Sequence, residues 1–415
     1  MREMKPSSME WVGDIPTSWK VIPNKYLMHK KKEICPVYNG EDILSLTMKG
    51  VIVRDLDAGG KMPASFDGYQ RLESGNLLMC LFDIDVTPRC IGLIKQTGLS
   101  SPAYSQFVLC DDANAAYYCY YYTMLDNDKT LLHLAKNLRH SLTEDQLGAI
   151  PVIVPPMDEQ KRIADFLDAK CAEIDALATD IQAQIDTLEQ YKRSVITETV
   201  TKGLNPNAEM KDSGVFYMAP MNATWRLTKI GYICSKLSRS FAPEDTALIC
   251  SNKGKVQVRA DDLTGIMISD DNAMQGIRSG DIAIHGMDTW HGAIALSEYD
   301  GKITRVVHVC DSTEDKRFVV YYMQHLAFQG VYKLISNGVR GNTSDFRSWD
   351  KVRDIWIAIP ETKEEQAAIC DYLDSQCTAV EEVIATKKEQ LEVLGEYKKS
   401  LIFEYVTGKK EVPVS

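Results

Sequence analysis

The side chains with most scope for chemistry in this sequence are basic and amide groups set among Gly, Asp and Asn. Lys49, Arg54 and Lys61 share one such stretch, and Gln70, Arg71, Arg89 and Lys95 follow. A second series holds Lys253, Lys255 and Arg259, then Gln275 and Arg278, then Arg340, Asn342 and Thr343. Basic side chains neutralise phosphates, and Arg, Lys, Asn, Gln and hydroxyl groups hydrogen-bond base edges. Any one of these residues is more often a solvated surface charge, so the prediction attaches to the loops as sets. No catalytic constellation competes with them. Glu159-Gln160-Lys161 has the Glu-x-Lys spacing of nuclease sites but sits on the helix signature with no acidic partner upstream at the usual distance, and Asp14, Asp83 and Asp85 are single carboxylates in turns. No Gly-x-x-x-x-Gly-Lys-Ser/Thr loop is present for ATP. The 11 cysteines include no Cys-x-x-Cys pair, and the 7 histidines do not cluster near cysteine pairs. Buried free thiols in a reducing cytosol are expected, with no metal site and no catalytic residue.

Composition sets the frame for these groups. A chain of 415 residues that is 45% hydrophobic and 25% charged reads as soluble, globular and multidomain. The opening Met1-Arg2-Glu3-Met4-Lys5-Pro6-Ser7 has no apolar core, which predicts no signal peptide. No apolar run approaches the ~20 residues that span a bilayer, so a cytoplasmic protein without membrane contact is expected. The net charge of −11 argues mildly against nucleic acid as a partner and predicts weak DNA binding by the chain alone.

A direct repeat supplies the elements that must position the loops. Glu159-Gln160-Lys161-Arg162-Ile163-Ala164-Asp165-Phe166-Leu167-Asp168 matches Glu365-Gln366-Ala367-Ala368-Ile369-Cys370-Asp371-Tyr372-Leu373-Asp374. The same offset pairs Cys171 with Cys377, Leu188 with Leu394, Tyr191-Lys192 with Tyr397-Lys398, Val200-Thr201 with Val406-Thr407, and Trp19 with Trp225. Each copy is a stretch of about 150 residues, the size of one domain, followed by a long helix. Leu167, Cys171, Ile174, Ala178, Ile181, Ile185, Leu188, Lys192 and Val195 keep an unbroken 4,3 spacing. So do Leu373, Cys377, Val380, Ile384, Lys387, Leu391, Leu394, Lys398 and Leu401. These are heptad seams interrupted by lysines, which either occupy tolerated rim positions or face acidic groups on a partner helix. At 1.5 Å per residue, about 40 residues make a rod of roughly 60 Å. Thr362-Lys363-Glu364-Glu365 reads as a capping box, and Gly203 and Gly408 lie where C-terminal caps belong. Glu159-Gln160 and Glu365-Gln366 either cap the backbone or dock a partner.

An apolar seam on a lone helix would be exposed, so the two helices are predicted to pack together. A two-fold relation between the halves makes them antiparallel, with the globular domains at opposite ends. The domains read as mixed α and β. Short apolar runs at 43–46, 77–81, 91–94, 282–284 and 303–309 are expected as strands, and 117–124 and 318–326 as buried helices or strands. The run Tyr117-Tyr118-Cys119-Tyr120-Tyr121-Tyr122 suits core packing better than a stacking platform, because its repeat partner at 317–322 is not a matching aromatic run. The fold class is α+β: two mixed α/β domains at 1–154 and 205–358, with long antiparallel coiled-coil helices at 155–204 and 359–415.

Three further motifs give the repeat an identity. The opening Glu10-Trp11-Val12-Gly13-Asp14-Ile15-Pro16-Thr17-Ser18-Trp19 is followed by Arg139-His140-Ser141-Leu142-Thr143-Glu144-Asp145 leading into Val154-Pro155-Pro156-Met157-Asp158-Glu159-Gln160. The helix closes on Tyr191-Lys192-Arg193-Ser194-Val195-Ile196. In this order the sequence resembles the specificity subunits of type I restriction-modification systems over essentially its whole length. The resemblance implies one target-recognition domain per half, each reading half of a split DNA site, with the helices setting the gap. It implies two adenine-methylating modification subunits and restriction subunits as partners, with S-adenosylmethionine and ATP on those partners and no cofactor on this chain. Gln160, Leu167, Ile174, Ile181 and Leu188, with Gln366, Leu373, Val380, Leu391 and Leu394, are the residues expected to form the seam or dock the partners. The second half departs from the pattern: it opens Val215-Phe216-Tyr217-Met218-Ala219-Pro220, and Glu361-Thr362-Lys363 stands where the first half has its second proline.

Other classes fare less well. Amino-methyltransferases hold the target amine with Asn/Asp-Pro-Pro-aromatic, whereas Pro155-Pro156 has no preceding Asn or Asp and is followed by Met157. A coiled-coil protein-binding scaffold would explain the helices but not the duplicated domains. A DNA-mimicking inhibitor would spread carboxylates along the domain surfaces, and here they concentrate on helices and turns.

Overall fold

The computed structural model describes residues 2–57, 63–134, 140–259, 273–336 and 346–413. Lys61, Arg139, Arg340, Asn342 and Thr343 therefore lie outside the described residues. The chain divides into two compact units, Met1–Ile181 with Lys388–Ser415, and Gln182–Lys387. Each unit holds one α+β domain, part of the helix Met157–Lys202 and part of the helix Lys363–Val406.

The two domains share one plan. In the first, an antiparallel sheet runs in the order Met28–Lys31, Ser105–Leu109, Leu77–Met79, Ile91–Leu93. In the second, the order is Cys234–Lys236, Val307–Ser312, Ile282–His285, Ile294–Leu296. Leu77, Leu78 and Met79, and their counterparts Ile282, Ala283 and Ile284, are all buried, which is why they read as continuous apolar runs rather than alternating ones. One helix covers each sheet, Ala115–Asn127 and Lys316–Phe328. Both start on a side-chain cap. Asn114 accepts from the Tyr117 N–H, and Asp315 accepts from the N–H groups of Arg317 and Phe318. Tyr117, Tyr118, Tyr121 and Tyr122 are all buried, as the core reading requires. Tyr117 donates to Val406 O at 2.7 Å and Tyr118 to Ile153 O at 3.1 Å, satisfying hydroxyls that burial would otherwise strand.

The long helices run antiparallel within each unit. In the first unit, Phe166 packs on Tyr405 with ring centroids 4.5 Å apart, and Lys398 Nζ donates to both Asp175 oxygens at 2.6 and 2.8 Å. In the second, Lys192 pairs with Glu381, and Lys387 Nζ donates to Gln184 Oε1. The seam lysines thus face polar groups on the other helix. Lys192–Glu381 and Lys398–Asp175 are repeats of one contact. Leu167, Ile174, Ile181, Leu373 and Val380 are buried, while Leu188, Leu391 and Leu394 are half-buried.

A duplicated clamp fixes each domain to its helix. Trp19 Nε1 donates to Glu159 Oε2 at 2.8 Å, and Trp225 Nε1 to Glu365 Oε1 at 3.0 Å. Gln160 bonds the Asn114 N–H, Asp112 O and Pro155 O, and Gln366 bonds the Asp315 N–H, Glu314 Oε2 and Pro360 O. Both glutamines are fully buried, so they are joints inside the molecule and present no surface to a partner. The expected capping box at Thr362 needs correction. Thr362 Oγ1 accepts from the Glu365 N–H at 3.3 Å, but the Glu365 carboxylate turns to Trp225. A charged hydrogen bond to a tryptophan that is itself buried replaces the reciprocal arm. Gly203 and Gly408 end the helices at φ of 83° and 71°, the left-handed turn glycine adopts most cheaply.

Candidate nucleic-acid interface

Beside each sheet stands one two-stranded hairpin. In the first domain its strands are Leu44–Thr47 and Gly50–Val53, and in the second Leu248–Ser251 and Lys255–Val258. Leu44 and Leu46 face inward with Val51, onto Leu72, Leu78 and Ile94. Leu248, Cys250 and Val256 do the same against Ile277, Ala283 and Ile303. Strand alternation then puts Ser45 and Ile52, or Ile249 and Gln257, on the outer face. Each root is held by equivalent bonds. The Arg54 N–H donates to Ile43 O at 2.7 Å and the Arg259 N–H to Ala247 O at 2.9 Å. The chain passes so close beneath that a Cβ on Gly98 would strike Asp42 O, and one on Gly301 would strike Thr246 O.

These hairpins gather five of the sequence candidates. Lys49 and Lys253 stand exposed at the two tips, Lys255 exposed just past the second tip, and Arg54 and Arg259 half-buried at the two roots. In the second domain, Asn252, Lys253, Gln257 and Arg259 line a groove of about 770 Å³, together with His285, Asp288 and His291. Burial holds the His285 imidazole below its ordinary value against the opposing pull of Asp288, so it is neutral at neutral pH. Lys255 points away from that role. Its Nζ sits 2.6 Å from Glu381 Oε2 on the long helix, and this hydrogen bond raises its pKa.

The other candidates do not converge on one surface. Gln70 is buried, with Nε2 donating to Ser101 O and Tyr104 O at 2.8 Å each. Gln275 is its buried counterpart, donating to Val307 O at 2.5 Å. Gln70 ties two backbone carbonyls together and Gln275 holds one, both inside the domain, so neither is placed to touch a base. Arg89 pairs with the buried Asp126 at 3.2 Å and with Asn127 at 3.0 Å. Arg71 lies 3.4 Å from Glu33 and 3.7 Å from Glu41. Lys95 and Arg278 are exposed in turns. The candidate reading missed Met48, Ile52, Asn252 and Gln257. The signal was available: Thr47-Met48-Lys49-Gly50 resembles Ser251-Asn252-Lys253-Gly254 in the other half.

Among the described residues no group of three or more His, Cys, Asp and Glu side chains could hold a metal ion. All 11 cysteines are free thiols, and eight of them are buried. Among the same residues no helix is long and apolar enough to cross a membrane.

Fold and hairpins together define a class of protein: a duplicated α+β chain in which each domain is clamped to a long helix and presents one basic β-ribbon. Residues 103–187 match the family model of the type I restriction modification DNA specificity domain. A specificity subunit assigned to the type I restriction enzyme MjaX of Methanocaldococcus jannaschii is 22% identical over 285 residues, 66% of this chain. The match spans 62% of that curated relative's length. A solved chain described in work on complex assembly and conformational transition of the type I R-M system superimposes with a TM-score of 0.67 at 14% identity, covering 95% of this chain and 99% of the other. The HsdS subunit from Thermoanaerobacter tengcongensis aligns at 14% identity and a TM-score of 0.46, covering 98% and 100% of the two chains. The chain thus carries the pattern of that specificity domain in residues 103–187, is similar in sequence to a type I specificity subunit, and shares its fold with a chain of a type I R-M system.

Proposed function

We propose that this chain selects the DNA sequence for a type I restriction-modification complex and performs no chemistry itself. Residues 1–154 and 205–358 act as two target-recognition domains, each reading half of a bipartite site, and the helical stretches 155–204 and 359–415 set the gap. The observation that carries this reading is the duplication of one exposed basic ribbon, with Lys49 and Arg54 answered by Lys253 and Arg259. A two-stranded ribbon fits the major groove, the groove with a distinct donor and acceptor pattern for each base pair. Two different readers on one chain suit a split, asymmetric site. The expected partners are double-stranded DNA, two modification subunits and restriction subunits, and S-adenosylmethionine and ATP are held by those subunits. An acidic chain that binds DNA weakly alone suits assembly with basic partners.

The test is to express the chain with its modification subunit in a methylation-free host and map N6-methyladenine. A split motif that depends on this chain is expected, and replacing residues 1–154 with another recognition domain should change one half only. If the two proteins co-purify yet methylation ignores this chain, the protein-binding scaffold takes the place of the reader.

A further inference from the structure

The two hairpins agree where a shared scaffold needs agreement and differ where a base would be met. Their inner faces are apolar in both copies. Both tips carry a lysine followed by a glycine in the left-handed region, Gly50 at φ 90° and Gly254 at φ 70°. Both roots carry an arginine fixed through its backbone N–H. These common features suit sequence-independent work: a turn, a fold and phosphate contact. The exposed positions between them change chemical type. At the tip, Met48 is replaced by Asn252. On the outer face, at the position after the inward valine, Ile52 is replaced by Gln257. Met48 is 61% exposed and Ile52 41% exposed, so neither belongs to a core.

We propose that these four positions choose the bases: Met48 and Ile52 select thymine through its 5-methyl group, and Asn252 and Gln257 select adenine. This rests on the DNA-reading function proposed above. Apolar side chains complement the thymine methyl in the major groove, and Asn or Gln pairs bidentately with adenine N6 and N7. Asn252 and Gln257 line the same groove as Lys253 and Arg259, which brings amide and basic groups together. The Lys255–Glu381 ion pair ties the second ribbon to the long helix, so its reading residues are held by a fixed element. The first ribbon has no counterpart to Lys255, because its strands close directly on Met48 and Lys49.

The experiment exchanges the two sets. The full chain carrying M48N and I52Q, and separately N252M and Q257I, is co-expressed with the modification subunit and the methylated motif is mapped. Each exchange should alter one or two adjacent positions in one half-site and leave the other half intact. The single changes Met48→Ala and Asn252→Ala should relax the same positions, lowering discrimination about ten- to a hundredfold. A motif retained base for base in all four variants overturns the proposal. So does loss of methylation in all four when they still co-purify and melt like the parent, which assigns the ribbons to general affinity or protein docking. A parent chain that directs no motif at all sinks the proposed function instead.

Discussion

Gln70 and Gln275 show how a polar residue in a loop-like stretch can be mistaken for a reader. Both are buried, and both donate to backbone carbonyls. Replacing either with Met removes those donors and should cost about 1–3 kcal/mol, while the methylated motif stays the same. A changed motif would return them to the interface. Gln160 and Gln366 make a stronger case, because each joins its helix to two other segments with no solvent access. A Gln160→Leu change strands the Asn114 N–H and the Asp112 and Pro155 carbonyls, an expected loss of about 2–4 kcal/mol by urea unfolding. Intact stability would show that these bonds contribute little.

At the scale of elements, two groups give the second unit a pH dependence. His325, on the helix Lys316–Phe328, lies 3.1 Å from Thr197 Oγ1, and burial pushes its imidazole down to about 4 from an ordinary 6.5. The unfolded chain therefore binds this proton first. The stability from keeping His325 neutral is complete above pH 6.5 and drains as pH falls toward 4, on the order of 3 kcal/mol in all. His325→Gln should flatten that slope in the hydrogen exchange of its helix between pH 7 and 4.5, and parallel slopes would refute the assignment. Glu381 works in a lower window. Burial alone would raise its pKa, but Lys192 and Lys255 outweigh burial and lower it from 4.5. Its contribution is present above pH 4.5 and fades as pH drops through the lowered value. The melting deficit of Glu381→Gln should accordingly be larger at pH 7 than at pH 3.

The whole molecule couples the end of the sequence to its beginning. Leu401, Ile402, Tyr405 and Val406 are buried in the core of the first domain, and Tyr117 donates to Val406 O. Each such side chain contributes about 1.5–3 kcal/mol on burial, and a domain's total stability is only about 5–15 kcal/mol. A chain stopped before Leu401 should therefore lose protection in the first domain under limited proteolysis while the second unit, Gln182–Lys387, keeps its own. Equal protection of the first domain in the shortened chain would contradict this division.

Much of the architecture was legible in the sequence because it is written in periodicity and repetition. The heptad seams, the duplicated halves and the glycine caps follow from spacing and repetition, whereas the tyrosine run at 117–124 was legible only as buried, with helix and strand both open. The repeat also contained the Met48–Asn252 difference, although composition alone drew attention to the neighbouring lysines. Tertiary structure decided the rest, because polar side chains have no address until their partners are placed. Whether a Gln holds two carbonyls or faces a base, or whether Glu365 closes a capping box or meets Trp225, depends on residues far away in the chain. Likewise Lys255 is a free cation in sequence and one arm of an ion pair in space, since Glu381 arrives only when the second helix folds back beside its hairpin.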